Sequence, residues 1–200
     1  MGLTVDEGSK RTPAPAGTHI AVCFGLFDLG TQEDTYQGRR LVHHKVWIWW
    51  ELCNEKNAEG LPVTIGSFYT ASLGEKSNLR KSLESWRGRP FTQEELRGFH
   101  LNAILGKPCM LTVMHKPKQS GGVRDLVQSI TGLPKGMTAP KPVRPVLSLS
   151  LDADEFSREL FEGLPQFLKD MIFKSKEGRA VLGPLPTDHP SDGGQQGPDP

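Results

Sequence analysis

Around residue 47 the chain sets indole rings and a cation on one side of a strand-like segment. In residues 41–52, Val46, Ile48, Trp50 and Leu52 alternate with Lys45, Trp47, Trp49 and Glu51. A strand there turns aliphatics one way and a Lys-Trp-Trp row the other. Flat π-faces beside cations suit an unpaired polynucleotide, each stacked base being worth roughly 1–3 kcal/mol. Trp47 and Trp49 are the expected stacking pair, with Lys45 beside them. Phe68 and Tyr69 follow on the next segment, and adjacent strand residues face opposite ways, so only one of them shares that face. The indoles would equally serve to cover a docked C-terminal helix, and the sequence leaves both uses open. Trp86 shares a helical stripe with Leu79 and Leu83 and reads as core.

The charge distribution points the same way. The chain is nearly neutral, net +1, yet residues 76–144 hold 13 Lys/Arg against 4 Asp/Glu, a local net of +9. The first 75 residues carry a net of −3 and residues 145–200 a net of −5. A fold that gathers the middle cations on one side offers a polyanion a positive face. Lys76, Arg80, Lys81, Arg87 and Arg89 are the expected phosphate contacts, and Lys107, Lys116, Lys118 and Arg124 would continue the track. A merely solvated helix face is the bland alternative for the same cations.

Signals for catalysis or a resident metal are missing. No phosphate-binding loop, His-Glu-x-x-His, Gly-x-Ser-x-Gly or Cys-x-x-Cys occurs. His43 and His44 are neighbours, and neighbours in a strand point apart. Glu94 and Glu95 fall in a helix first turn, where capping explains them. Cys23, Cys53 and Cys109 are odd in number and set in apolar strings, which suits buried reduced thiols. The expectation is therefore no enzyme, no cofactor and no metal. Residues 1–17 hold no apolar signal-type core and no run reaches membrane-spanning length, so a cytoplasmic location is expected.

The elements that must position these residues read as a mainly β, α+β domain. Strands are expected at 18–29, 41–52, 62–73, 109–115 and 123–133. In the first, Ile20, Val22, Phe24 and Leu26 take one side and Ala21, Cys23, Gly25 and Phe27 the other, with Gly25 marking a bend. A helix with the Leu79–Leu83–Trp86 stripe stops at Gly88, and Thr92 with Glu95 opens a second by a capping box. Helices between the third and fourth of five strands match the order of the oligonucleotide-binding barrel, the OB-fold. The division expected is a flexible 1–17, an OB-fold domain over 18–133, a Pro-rich linker over 134–149, a helical segment over 150–176 and a disordered acidic tail over 177–200. Within 150–176, helices are expected at 152–161 and 165–173, too short to stand alone.

The stretch from Tyr69 to Thr92, with Leu105-Gly-Lys-Pro-Cys-Met-Leu, Trp50-Glu-Leu and Leu164-Pro-Gln-Phe-Leu, resembles a family of small phage and prophage proteins. Some members are described as OB-fold single-stranded DNA-binding proteins of phage replication. The likeness spans most of residues 18–176. It implies single-stranded DNA binding in replication or recombination within a bacterial host cytoplasm. Members commonly carry an aromatic in the hairpin between the fourth and fifth strands, where this chain reads Gly121-Gly122-Val123-Arg124-Asp125. A protein-interaction adaptor, recruiting replication or recombination proteins through the C-terminal segment, is the alternative function.

Overall fold

Apolar residues on both sides of the first strand demand cover on both sides, and the architecture follows from meeting that demand. The computed structural model describes residues 12–119 and 121–183. The expected α+β class holds: a mainly antiparallel sheet carries short helices on both faces. Strand β1 (Gly17–Tyr36) pairs with β2 (Arg39–Lys56), and β2 with β3 (Pro62–Thr70). On its other edge, the first part of β1 pairs with β4 (Pro108–Pro117), which pairs with β5 (Val123–Thr131).

The order is β3-β2-β1-β4-β5. β3 and β5 lie close together but share no ladder among the described residues, so the sheet stays open at this seam and the expected closed barrel is not formed. Helix α1 (Asn78–Arg87) packs on both strands there and plugs the seam with side chains. Its ends are as the sequence specifies, with the Ser77 hydroxyl accepting from the Arg80 N–H and Gly88 left-handed at φ 68°. Helix α2 (Gln93–Arg97) opens on the Thr92–Glu95 capping box, and a 3-10 turn (Leu101–Ile104) leads into β4.

The first core lies on the α1 side of the sheet. Val46, Ile48, Trp50 and Leu52 enter it as expected, beside Leu79, Leu83 and Trp86. In β1 the alternation departs from the sequence reading. The register slips between Cys23 and Gly25, so Leu26 joins Ala21 and Cys23 inside instead of following Phe24. A bulge adds one residue and reverses the phase of all that follow.

That reversal throws Phe27 and Leu29 onto the opposite face, where a second core forms. Its cover is the C-terminal chain: β6 (Leu147–Leu149), α3 (Arg158–Glu162), α4 (Gln166–Lys174) and α5 (Lys176–Leu182). β6 runs parallel to Gly25–Phe27 along the edge that β4 leaves after Val22. The segment read as linker thus contributes a strand. Of the expected 152–161 helix only 158–161 is helical, within α3, and the part read as disordered begins within α5. The rest of that acidic part, from residue 184, lies outside the described residues. The described end of the lead-in is anchored as well, since Ala14 is buried and its N–H donates to the Asp125 carboxylate at 2.9 Å, whereas residues 1–11 lie outside the described residues.

One buried carboxylate holds the crossing from the first core to the second. Glu51, 2% exposed, accepts from the backbone N–H of Val143 at 2.6 Å and of Arg144 at 3.1 Å. The Arg144 guanidinium reaches the Pro62 carbonyl at 2.7 Å and stands 3.8 Å from Glu51. Removing one side of a buried charged pair costs about 3–5 kcal/mol. Glu51→Ala is therefore expected to lower unfolding stability by about that amount, read by urea denaturation, and to speed proteolysis after residue 134. A variant as stable as the parent would refute the clamp.

Candidate functional site

The aromatic face is occupied by the chain itself. Trp49 lies among phenyl rings, 5.2 Å from Phe24 and 6.0 Å from Phe27 between centroids. Trp47 meets Phe68 at 4.4 Å and Phe167 of α4 at 5.4 Å, both edge-on. Its indole rests on the Gly66 backbone, where any Cβ would overlap the ring. Both indoles pack against the second core, whose Phe27, Leu29, Leu168 and Ile172 are wholly buried. At roughly 1.5–3 kcal/mol per buried large apolar side chain, lifting that cover costs far more than stacking a base returns. Of the two uses open to Trp47 and Trp49, covering a docked helix is the one the structure takes.

Register settles the next strand. Phe68 stands opposite Trp47 and shares its face, whereas Tyr69 points into the first core and burial pushes its phenol up. Tyr69 is thus removed from the expected site. Phe68, 43% exposed, and Phe167, 46% exposed, stand further out than the half-buried indoles, with their ring centroids 6.3 Å apart.

The expected cations divide into paired and unpaired. Lys45 binds Asp34, Arg80 binds Glu84 at 3.0 Å, and Arg87 and Arg89 both bind Glu95. Arg89 and the Thr92 N–H, with Arg87, hold the Glu95 carboxyl down at about 2. Lys76, Lys81, Lys107, Lys116, Lys118 and Arg124 are exposed and make no ion pair among the described residues. Three of these converge. Lys116 and Arg124 face each other across the β4–β5 ladder, and with Lys118 they line a cleft of about 540 Å³ that also holds Gln119 and Leu126. Asp125, the acid of that strand, is turned inward on Ala14.

Trp47 and Trp49 do not share a groove with the cations of the α1 region. α1 lays its apolar stripe in the first core, while Trp47 and Trp49 lie against the second. Lys76, Arg80, Lys81 and Arg87 therefore flank the opposite side of the sheet from the indoles. Phe167 escaped the sequence reading because it sits in the stripe that docks α4. Its place at the stripe's edge shows only after docking.

A polar cluster fastens α5 to the second bulge of β1. Glu177 accepts from the Thr31 N–H at 2.8 Å and the Thr31 hydroxyl at 2.6 Å, and Gln32 donates to the Met171 carbonyl at 2.8 Å. Burial pushes the Glu177 carboxyl up, but the Thr31 hydrogen bonds outweigh it and the net shift is downward. His44 Nε2 lies 2.6 Å from Asp28. That bond raises the imidazole above its ordinary 6.5, helped by Glu177 and Asp152.

Cys23 and Cys109 are buried as expected, and burial pushes their thiols up, to about 12 and well up respectively, whereas Cys53 is only half-buried, its thiol pushed up by partial burial and by Glu51. Among the described residues no three His, Cys, Asp or Glu side chains gather as a metal site, and no helix is long and apolar enough to cross a membrane. Compared with protein-family models and with curated proteins, the chain matches none.

Because the folded imidazole is the more basic, its contribution is complete below the unfolded value near 6.5 and is lost as pH rises through the folded value. The melting temperature of His44→Asn is expected to fall furthest below the parent at about pH 5, the gap closing toward about pH 8. A gap that widens with pH would contradict the pairing.

Proposed function

We propose that this chain binds single-stranded DNA with little sequence preference, as an OB-type module without catalysis of its own, in phage replication or recombination. The observation that carries the reading is the β4–β5 cleft, where Lys116, Lys118 and Arg124 converge around the apolar Leu126 with no acidic partner among the described residues. Cations fixed on a ladder track a phosphate backbone, and an apolar side chain between them suits the face of an unpaired base. The OB-type reading is supported by a long β1 shared between β2 and β4, by helices between β3 and β4, and by the adjacency of β3 and β5. Phe68 and Phe167, exposed beside one another, supply ring faces to a strand long enough to reach them. Electrostatics leads in this interface and stacking follows, the reverse of the balance expected from Trp47 and Trp49.

Anisotropy of a labelled oligo-dT across salt concentrations tests it. Three neutralised phosphates give a slope of log affinity against log salt of about −2 for a single strand. Replacing Lys116, Lys118 and Arg124 together by Ala should flatten that slope and remove most of the binding. No binding by the parent protein at low salt defeats the proposal, and equal affinity for duplex reduces it to plain electrostatics.

A further inference from the structure

A second concavity, built from α1, the 3-10 turn and the ends of β4 and β5, lies apart from the hairpin cleft and encloses about 370 Å³. Its walls include Leu83, Trp86, Phe99 and Ile104. The Trp86 indole is held in place by donating to the Pro108 carbonyl at 2.8 Å. Two cations line the same space, Arg87 and Lys107, and among the described residues no acidic side chain does.

The Arg87 guanidinium is already fixed. Nη2 binds Glu95, and Cζ lies 4.3 Å over the Phe91 ring and 5.4 Å from the Phe99 centroid. Nη1 is buried and has no acceptor among the described residues. Lys107, at the rim, makes no ion pair there, and its backbone is tied to Cys23 and Ile104 at 3.1 Å each. An apolar wall, an oriented guanidinium and an unpaired ammonium together complement an apolar group that carries a carboxylate.

We infer that this concavity is a docking site for a partner protein, which it recognises by a bulky apolar side chain next to an Asp or Glu in an extended segment. The space is half open, and at about 370 Å³ it stands near the lower end of the roughly 300–1,000 Å³ typical of ligand pockets. It therefore suits one or two side chains of a longer chain. The apolar side chain fills the space between Trp86 and Phe99, while the carboxylate reaches Arg87 and Lys107. A guanidinium already held by Glu95 and the two rings leaves less ordering for binding to oppose.

The probe is the peptide acetyl-Leu-Phe-Asp-amide, titrated into the full chain and followed by amide and indole N–H resonances. Shifts are expected at the Trp86 indole and at residues 99–107, 132 and 133. The Asn analogue of the peptide should bind about tenfold more weakly, the equivalent of about 1.4 kcal/mol. Lys107→Glu should weaken the Asp peptide by at least as much, and Ala103→Trp, at the exposed mouth, should block it. Ala103→Trp should also leave oligo-dT affinity unchanged, so this site and the DNA reading fail separately. The inference is overturned by shifts elsewhere or nowhere, by equal binding of the Asp and Asn peptides, or by decanoate binding where the peptide does not.

Discussion

Strand β1 carries apolar side chains on both faces, and covering both is the constraint the rest of the molecule meets. The slip between Cys23 and Gly25 moves Leu26 to the α1 side and sends Phe27 and Leu29 to the other. Without that one-residue insertion, the second half of the strand would turn opposite side chains to each face. With it, two cores share one sheet, α1 sealing the first and α3–α5 the second. The C-terminal chain is therefore a structural layer of the domain. Glu51 and Glu177 fix it at two points, one carboxylate at the crossing and one at the last helix.

This layering decides where a ligand can be met. The indoles of β2 are spent on internal packing, so the surface is left to groups whose neighbours do not need them. On the β4–β5 hairpin these are cations, because Asp125 is drawn inward by Ala14 and leaves Lys116 and Arg124 without an acid opposite. Near α1, by contrast, Glu84 pairs with Arg80, and Arg87 and Arg89 share Glu95. A block of +9 in the sequence is thus partly cancelled by ion pairs, and three of its unpaired cations gather at the hairpin. Exposed ion pairs add little stability, but they cancel charge that a polyanion would otherwise feel.

Much of the local structure was legible. The Leu79–Leu83–Trp86 stripe, the Gly88 stop and the Thr92–Glu95 box lie within a few residues of one another, and a helix turn is a local object. The inward row of β2 was legible for the same reason, since alternation survives wherever no bulge intervenes. The reading failed at Leu26, where a bulge changed the phase. It failed again at Leu147–Leu149 and Lys176–Leu182, short elements that exist because something distant pairs with them or lies beneath them. Pro-rich and polar composition describes what such segments do alone, and tertiary contact overrides it.

For the candidate site, residue types and spacing alone determined that aromatic rings alternate with aliphatics in residues 41–52 and that cations crowd the middle of the chain. They also determined that one of Phe68 and Tyr69 must share the face of Trp47. Only the tertiary structure decided that Phe68 is the one, that Trp47 and Trp49 pack half-buried against the second core, and which cations keep no ion-pair partner among the described residues. The physical reason is the same in each case. Alternation and composition are properties of neighbours along the chain, whereas cover, register and charge pairing depend on residues tens of positions away that folding brings into contact.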